Sequence, residues 1–123
     1  MKLFSIEEAN ALLPTVRRIV VSIQRTHGRL LSYSEAARHA AEELGGGGMP
    51  GGERYVELLL GLSSLTSQLD ALGVQIKDYG RGLIDFPSLR DGRVVLLCWQ
   101  LGEGEQVEWW HDVDAGFAGR QPL

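Results

Sequence analysis

The chain has 123 residues, of which 44% are hydrophobic, and this composition suits one folded domain with a single core. Its formal net charge of -4 gives no general attraction to phosphate backbones or anionic lipids, so a nucleic-acid or membrane partner is not expected. No apolar run is long enough to span a membrane, no signal peptide is apparent and there is one cysteine, which together predict a cytoplasmic protein.

The first predicted element is a long amphipathic helix over residues 5–44. Ser5 and Glu8 have the spacing of a capping box, in which each residue satisfies a free amide of the other. Beyond them, apolar or small residues recur every three or four positions, which keeps them on one face of a helix. Pro14 falls within this stretch and predicts a bend or a short separate first segment, because proline has no amide hydrogen.

Residues 45–52 are rich in glycine and include Pro50, so they predict a loop that ends the first helix. A second helix is predicted over residues 53–72, with leucines along one face and Gly73 as a stop signal. Two such stripes favour an antiparallel hairpin. The second helix is about half as long as the first, so the sheet, a second copy of the protein or both must cover the N-terminal half of the first helix.

After the second helix the spacing changes to that of β-strands, and turn residues separate four predicted segments, 74–77, 82–86, 93–101 and 106–111. The sequence therefore predicts an α+β fold, in which the long helical hairpin is followed by a small antiparallel β-meander of three to four strands. This sheet is confined to residues 74–111. Residues 112–123 are predicted to form an irregular tail.

The register of the last two predicted strands decides which side chains share a face of the sheet. A four-residue loop at 102–105 would pair Cys98 with Trp109 and put His111 on the same face. Trp110, next to Trp109, would then point to the opposite face. One of these two tryptophans therefore leaves the face that the helices bury, where it either forms a partner surface or is shielded by the C-terminal tail.

Charged residues are unevenly distributed along the chain. Between Pro14 and Ser34 every charged residue is an arginine, whereas the stretch from Gly102 to Asp114 contains acids and no base. We expect the two stretches to attract each other, within one chain or across a dimer.

Short motifs spread over almost the whole chain resemble an uncharacterised prokaryotic family, domain of unknown function 2203. The resemblance supports the fold and implies no activity, substrate or catalytic residue. The residues that carry it are Phe4, Glu8-Ala9-Asn10, Leu13-Pro14, Gly73-Val74, Lys77-Asp78, Gly82-Leu83-Ile84-Asp85-Phe86-Pro87, Leu97-Cys98-Trp99, Gly102-Glu103, Trp110-His111 and Gly116-Phe117.

Acidic residues and one histidine in the C-terminal half could converge at an edge of the sheet and bind a divalent ion. An oxygen-rich site of this kind suits Mg²⁺ or Mn²⁺, and beyond such an ion no cofactor is predicted. The metal candidates are Asp85, Glu103, His111 and Asp112. A wider set of candidate ligand-binding residues consists of Lys77, Asp78, Asp85, Arg93, Trp110 and Arg120. The alternative is that these are turn residues, strand-end charges and partners of the basic helix.

Cys98 lies in the apolar run 94–99, where a cysteine usually packs as a small hydrophobic residue. A nucleophilic role would need a lowered thiol pKa, partial exposure and a nearby base, which His111 would supply in the register given above. We expect core packing, with a nucleophilic or a redox-sensing thiol as the alternatives.

Two classes of function fit these observations. The first is a non-enzymatic interaction or assembly module that forms a homodimer through the uncovered part of the first helix and the outer tryptophan. The second is a small metal- or ligand-binding protein, or an enzyme, that uses the acidic residues and His111. The sequence indicates neither a substrate nor a reaction.

Overall fold

A computed structural model describes residues 1–44 and 52–123, so the predicted loop 45–52 lies outside the described residues except for Gly52. Two helices precede a five-stranded antiparallel sheet whose strands follow one another in chain order. The predicted α+β hairpin and meander are confirmed, with one more strand than expected. The elements are α1 (Ile6–Leu44), α2 (Gly52–Leu72), β1 (Gln75–Asp78), β2 (Leu83–Arg90), β3 (Arg93–Gln100), β4 (Trp109–Asp112) and β5 (Gln121–Pro122).

The long helix α1 starts with the predicted capping box. The amide of Glu8 donates to Ser5 Oγ at 3.0 Å, and the amide of Ser5 donates to Glu8 Oε1 at 2.9 Å. The hydrogen bond from the Ser5 amide, and next to it the Ser5 hydroxyl, lower the pKa of the Glu8 carboxyl, because they stabilise its charged form. Pro14 does not divide the helix, which continues unbroken to Leu44. Leu13 and Val16, on either side of the proline, are buried in the core and hold this turn in place.

The sheet covers the N-terminal half of α1. One apolar stripe of the helix is buried against the inner face of the sheet, and α2 adds Leu69 to the same core. The sheet thus covers this stripe, so no second copy of the protein is needed to bury it. The buried helix residues are Ala9, Leu13, Val16, Val20 and Ile23, and the buried strand residues are Ile84, Phe86, Val95, Leu97, Trp99 and Trp110.

Strand β2 continues past Pro87, although the prediction ended it at residue 86. Proline interrupts a central strand because it cannot donate to a neighbour. Here β1 pairs with β2 only up to Asp85, and beyond that point the segment before α1 lies beside β2 instead. Phe4 donates its amide to the Pro87 carbonyl at 2.7 Å and accepts a hydrogen bond from the Ser88 hydroxyl at 2.6 Å, so no amide hydrogen is required from the proline.

The predicted irregular tail is more ordered than expected. It contains a 3₁₀ turn at Phe117–Gly119 and the short strand β5, which pairs with β4. The two residues of β5 are too few to show the period-two pattern that marks a strand in a sequence. They form a strand because they pair with β4. Within residues 1–44 and 52–123, neither helix combines the length and hydropathy that a bilayer crossing needs.

The turns set the register of the three central strands. Asp91 and Gly92 both have positive φ, at 52° and 77°, as a two-residue type I′ hairpin turn requires. This turn pairs Arg90 with Arg93 and carries the register along the hairpin. On the other side of β3, Cys98 pairs with Trp109, as predicted, although β3 ends one residue earlier and β4 begins three residues later than predicted, so the connection spans residues 101–108.

Gly82 is the position where we expect the backbone to tolerate substitution least. Its φ is 61°, and a Cβ atom would lie 2.6 Å from Leu101 and 2.9 Å from Val20. Gly82→Ala should lower the free energy of unfolding by about 3 kcal/mol, from backbone strain plus overpacking. Gly92→Ala is the matched control, because its φ is also positive but nothing lies within 4 Å, so about 1 kcal/mol is expected. Urea unfolding of both variants measures the difference, and equal losses would contradict the close contact at residue 82.

Candidate functional site

A polar cluster lies on the outer face of the sheet, which points away from the helices. Asp85 on β2 pairs directly with Cys98 on β3, while His111 on β4 pairs with Leu96, two residues from Cys98 on the same face. All three polar side chains are buried, with relative exposures of 2% for Asp85, 0% for Cys98 and 3% for His111. The register that buries apolar residues on the inner face thus brings an acid, a thiol and an imidazole together on the other face.

The hydrogen bonds of His111 fix the orientation and tautomer of its ring. Nδ1 lies 2.7 Å from the carbonyl oxygen of Asp112, which only accepts, so Nδ1 carries a hydrogen and donates it. Nε2 lies 3.1 Å from Asp85 Oδ1. In the neutral ring Nε2 is an acceptor facing a carboxylate oxygen, which also accepts. A proton or another cation must therefore lie between these two atoms.

The Cys98 thiol completes the cluster. Its sulfur, one carboxylate oxygen of Asp85 and one ring nitrogen of His111 all lie within 4.8 Å of one another. Burial raises the pKa of the thiol from 9.0 to about 12, and the negative charge of Asp85 adds to the effect. Both ring nitrogens of His111 face other groups, so the imidazole is not placed to take the thiol proton. This environment does not favour the nucleophile alternative.

Arg120 holds the C-terminal tail against the outer face. Its guanidinium lies 4.8 Å from the ring centre of Trp109 and 4.7 Å from that of Phe117. Nη2 donates to Glu103 Oε2 at 2.6 Å, and Glu103 Oε1 accepts the amide of Gln100 at 2.9 Å. The Arg120 side chain is only 9% exposed. Trp109 pairs with Cys98, so the arginine and the tail shield the outer tryptophan beside the cluster, as one of the two sequence alternatives proposed.

The structure brings together only some of the candidate metal ligands. Asp85 and His111 are in contact, but the carboxylate of Asp112 binds Arg93 Nε at 3.0 Å instead. Glu103 is held by Arg120. Asp112 contributes to the cluster only through its backbone carbonyl, which orients the imidazole.

The wider ligand-binding set does not form one pocket. Trp110 belongs to the core on the inner face, with the guanidinium of Arg93 5.9 Å from its ring centre. Asp78 accepts the amide of Arg81 in the turn after β1, and Lys77 is exposed on β1. Of the set, Asp85 belongs to the cluster and Arg120 to the adjoining tail.

The predicted attraction between the basic helix and the acidic segment has a limited counterpart. Arg17 and Arg18 of α1 and Glu103 and Glu105 of the loop line a common cavity of about 560 Å³. Within residues 1–44 and 52–123, no nitrogen–oxygen distance of 4.0 Å or less joins these arginines to the acids. The helix and the loop are instead joined by a hydrogen bond, in which the side-chain oxygen of Asn10 accepts the amide of Val107 at 2.7 Å.

Cys98 is the member of the cluster that the sequence analysis did not include among the site residues. A signal for it existed in the Asp91–Gly92 dipeptide, which is typical of a two-residue hairpin turn. Counting back along both strands from that turn pairs Asp85 with Cys98. Combined with the predicted pairing of Cys98 with Trp109, this count also puts His111 on the same face.

The chain belongs to the family described as "Uncharacterized conserved protein (DUF2203)", whose model matches residues 2–123. Comparison with curated proteins and with solved structures finds no match. The family match therefore covers the helices, the sheet and the tail, including the whole cluster.

The native Cys98 thiol should react slowly with alkylating agents. At pH 8, a thiol with a pKa of about 12 has roughly 1,000-fold less thiolate than one at 9.0, and its burial hinders access further. Iodoacetamide labelling followed by mass spectrometry, in buffer and in denaturing urea, measures the ratio. Comparable rates in the two conditions would contradict the buried, protonated state.

Cys98 should also make the protein less stable at high pH. Because the pKa of the thiol is higher in the folded than in the unfolded chain, folding holds a proton that unfolding releases. The stability contribution is complete below pH 9 and is lost as the pH rises towards about 12. Cys98→Ser should remove part of this loss in urea unfolding curves measured between pH 8 and pH 10.5. An unchanged pH dependence would exclude the thiol as its source.

Proposed function

We propose that this protein binds a transition-metal ion, such as Zn²⁺, through Asp85, Cys98 and His111. The observation that carries the proposal is the 3.1 Å separation of Asp85 Oδ1 and His111 Nε2, two acceptor atoms that face each other in a buried site. A metal ion satisfies both atoms without the shared proton that the metal-free pair requires.

The kind of donor atoms favours a softer ion than the sequence suggested. A thiolate, an imidazole and a carboxylate together suit Zn²⁺, whereas Mg²⁺ and Mn²⁺ prefer sites built from oxygen. Metal coordination also overcomes the high pKa of the Cys98 thiol, because a bound cation stabilises the thiolate.

The dimensions and the surroundings of the cluster support this proposal. Zinc binds sulfur, nitrogen and oxygen at about 2.0–2.3 Å, so the ligand atoms of a zinc ion lie within about 4 Å of one another. The three donor atoms of the cluster lie within 4.8 Å of one another, which is close to this spacing. The second ring nitrogen of a metal-binding histidine usually donates to a carbonyl or carboxylate, as Nδ1 of His111 does to Asp112. The Asp85 carboxylate and the Cys98 thiolate together balance the double positive charge of the ion.

Three protein ligands leave one position of a tetrahedral ion for water or for a substrate. Sites with this incomplete coordination are typical of catalytic zinc, which activates water or polarises a carbonyl group, whereas structural zinc usually has four protein ligands. The proposal therefore includes a small enzyme as well as a binding protein. A reduced thiol is needed for coordination, which suits the cytoplasm as the working compartment.

Cobalt provides a direct optical test of the ligand set. Co²⁺ added to the metal-free, reduced protein should bind at about one ion per chain and give the near-ultraviolet charge-transfer band of a cobalt–thiolate bond. Cys98→Ser should abolish that band, and His111→Ala should weaken binding at least about 10-fold. Glu105→Gln, in an exposed residue outside the cluster, is the matched control and should bind like the wild type. Absence of the band in the folded wild-type protein would overturn the proposal.

Proton release gives a second test that does not depend on the spectrum. Binding as a thiolate displaces the proton of Cys98, whose pKa of about 12 keeps the free thiol protonated, so at least about one proton should be released per Zn²⁺ ion at pH 7. Calorimetric titration in buffers of different ionisation enthalpy measures the number. Cys98→Ser should reduce it by about one, and a number near zero in the wild type would mean that zinc binds elsewhere.

A further inference from the structure

The exposed surface of α1 is divided into a basic and an acidic part. Arg17, Arg18, Arg25 and Arg29 are all exposed, and in the described residues none of them has an acid within ion-pairing distance. The last turns of the helix are mainly acidic. The exposed acids there are Glu35, Glu42 and Glu43, and the exposed basic residues are Arg38 and His39, whose Nε2 lies 3.0 Å from Glu43 Oε1.

Two adjoining cavities on the hairpin have opposite charge. The first, of about 690 Å³, lies between the helices, and its lining includes Arg25, Arg29 and Arg54, of which Arg54 pairs with Glu57 at 3.3 Å. The second, of about 430 Å³, lies further along α1, and its charged lining residues are Glu35 and Glu42 together with Arg38, so its formal charge is about -1 with His39 neutral. Ser32 lines both cavities, so it marks the boundary between the basic and the acidic surface.

We infer that a second copy of this chain docks on this surface, related to the first by a twofold axis that passes near Ser32. A twofold axis there runs the two α1 helices antiparallel and brings the basic cavity of each copy close to Glu35 and Glu42 in the second cavity of the other. Arg29 and Glu35 each lie three positions from Ser32, so Arg29 faces Glu35 of the partner subunit. Because of the twofold symmetry, this pairing of Arg29 with Glu35 occurs twice in one interface.

The residues around the proposed axis support a close approach of two helices. Gly28 precedes Ser32 by one turn and has no atom within 4 Å of the position of an added Cβ, and Ala36 follows by one turn.

This surface differs from the one that the sequence analysis offered for a homodimer. The stripe of α1 that needed a cover packs on the sheet of its own chain, and Arg120 shields the outer tryptophan. The proposed interface uses the charged surface of the hairpin, which includes Arg25 and Ser32. It is independent of the metal proposal, because no member of the cluster contributes to it.

Charge reversal tests the pairing between copies. Sedimentation of the wild-type protein at micromolar concentrations should show a dimer that dissociates as salt is raised. The doubles Arg25→Glu with Arg29→Glu, and Glu35→Arg with Glu42→Arg, should each weaken dimerisation at least about 10-fold, because residues 29 and 35 then carry like charges across the axis. An equimolar mixture of the two should dimerise again. Lys77→Glu, a reversal at an exposed residue of β1, should leave the dimer unchanged.

A cysteine at the axis tests the geometry. Ser32→Cys meets its own copy across a twofold axis, so mild oxidation should cross-link most of the protein into a covalent dimer, since the native Cys98 is buried. Ser67→Cys, at an exposed position of α2, is the control and should remain largely uncross-linked.

Each outcome decides for or against the inference. Restored dimerisation of the mixed doubles together with the Ser32 cross-link supports it. A wild-type monomer at all concentrations, or a dimer that both doubles leave intact, overturns it. Far-ultraviolet circular dichroism identifies a variant that has failed to fold, and the cross-linking of Ser32→Cys then provides the decision.

Discussion

The packing of α1 on the inner face of the sheet determines where the polar cluster lies. The apolar residues of the three central strands must face the helix, because their burial supplies most of the core. Side chains alternate along a strand, so the neighbours of these residues point away from the helices. Asp85, Cys98 and His111 are those neighbours. The burial of apolar side chains on one face of the sheet therefore brings the polar cluster together on the other face.

The two faces of the sheet are covered in different ways. The inner face has a helical layer, whereas Arg120 and the tail residues around Phe117 cover part of the outer face beside the cluster. Buried polar groups are costly unless each finds a partner, and the cluster meets this condition through a shared proton or, as we propose, a metal ion. The proposed docking surface is on the helical hairpin, so the two functions would occupy separate parts of the molecule.

Local signals predicted most of the fold. The Ser5–Glu8 capping box and the helical period gave both helices, and the spacing after Gly73 gave the antiparallel order of the strands. The extension of β2 past Pro87 was missed because its cause is a contact with Phe4, far away in sequence. The stacking of Arg120 was missed for the same reason. The cluster was partly predicted, since Asp85 and His111 were named, but Cys98 required the registers of two hairpins to be combined.

The two connections that flank β3 would respond differently to insertions during evolution. One residue added to the tight Asp91–Gly92 turn would shift β3 along β2 and bring Leu97 or Trp99 opposite Asp85, with the thiol turned into the hydrophobic layer. Such a protein would keep its strands and lose its cluster. The longer connection at residues 101–108 has slack to absorb a change in length while Cys98 stays paired with Trp109. Homologues are therefore expected to vary in length in that loop and to keep the tight turn constant.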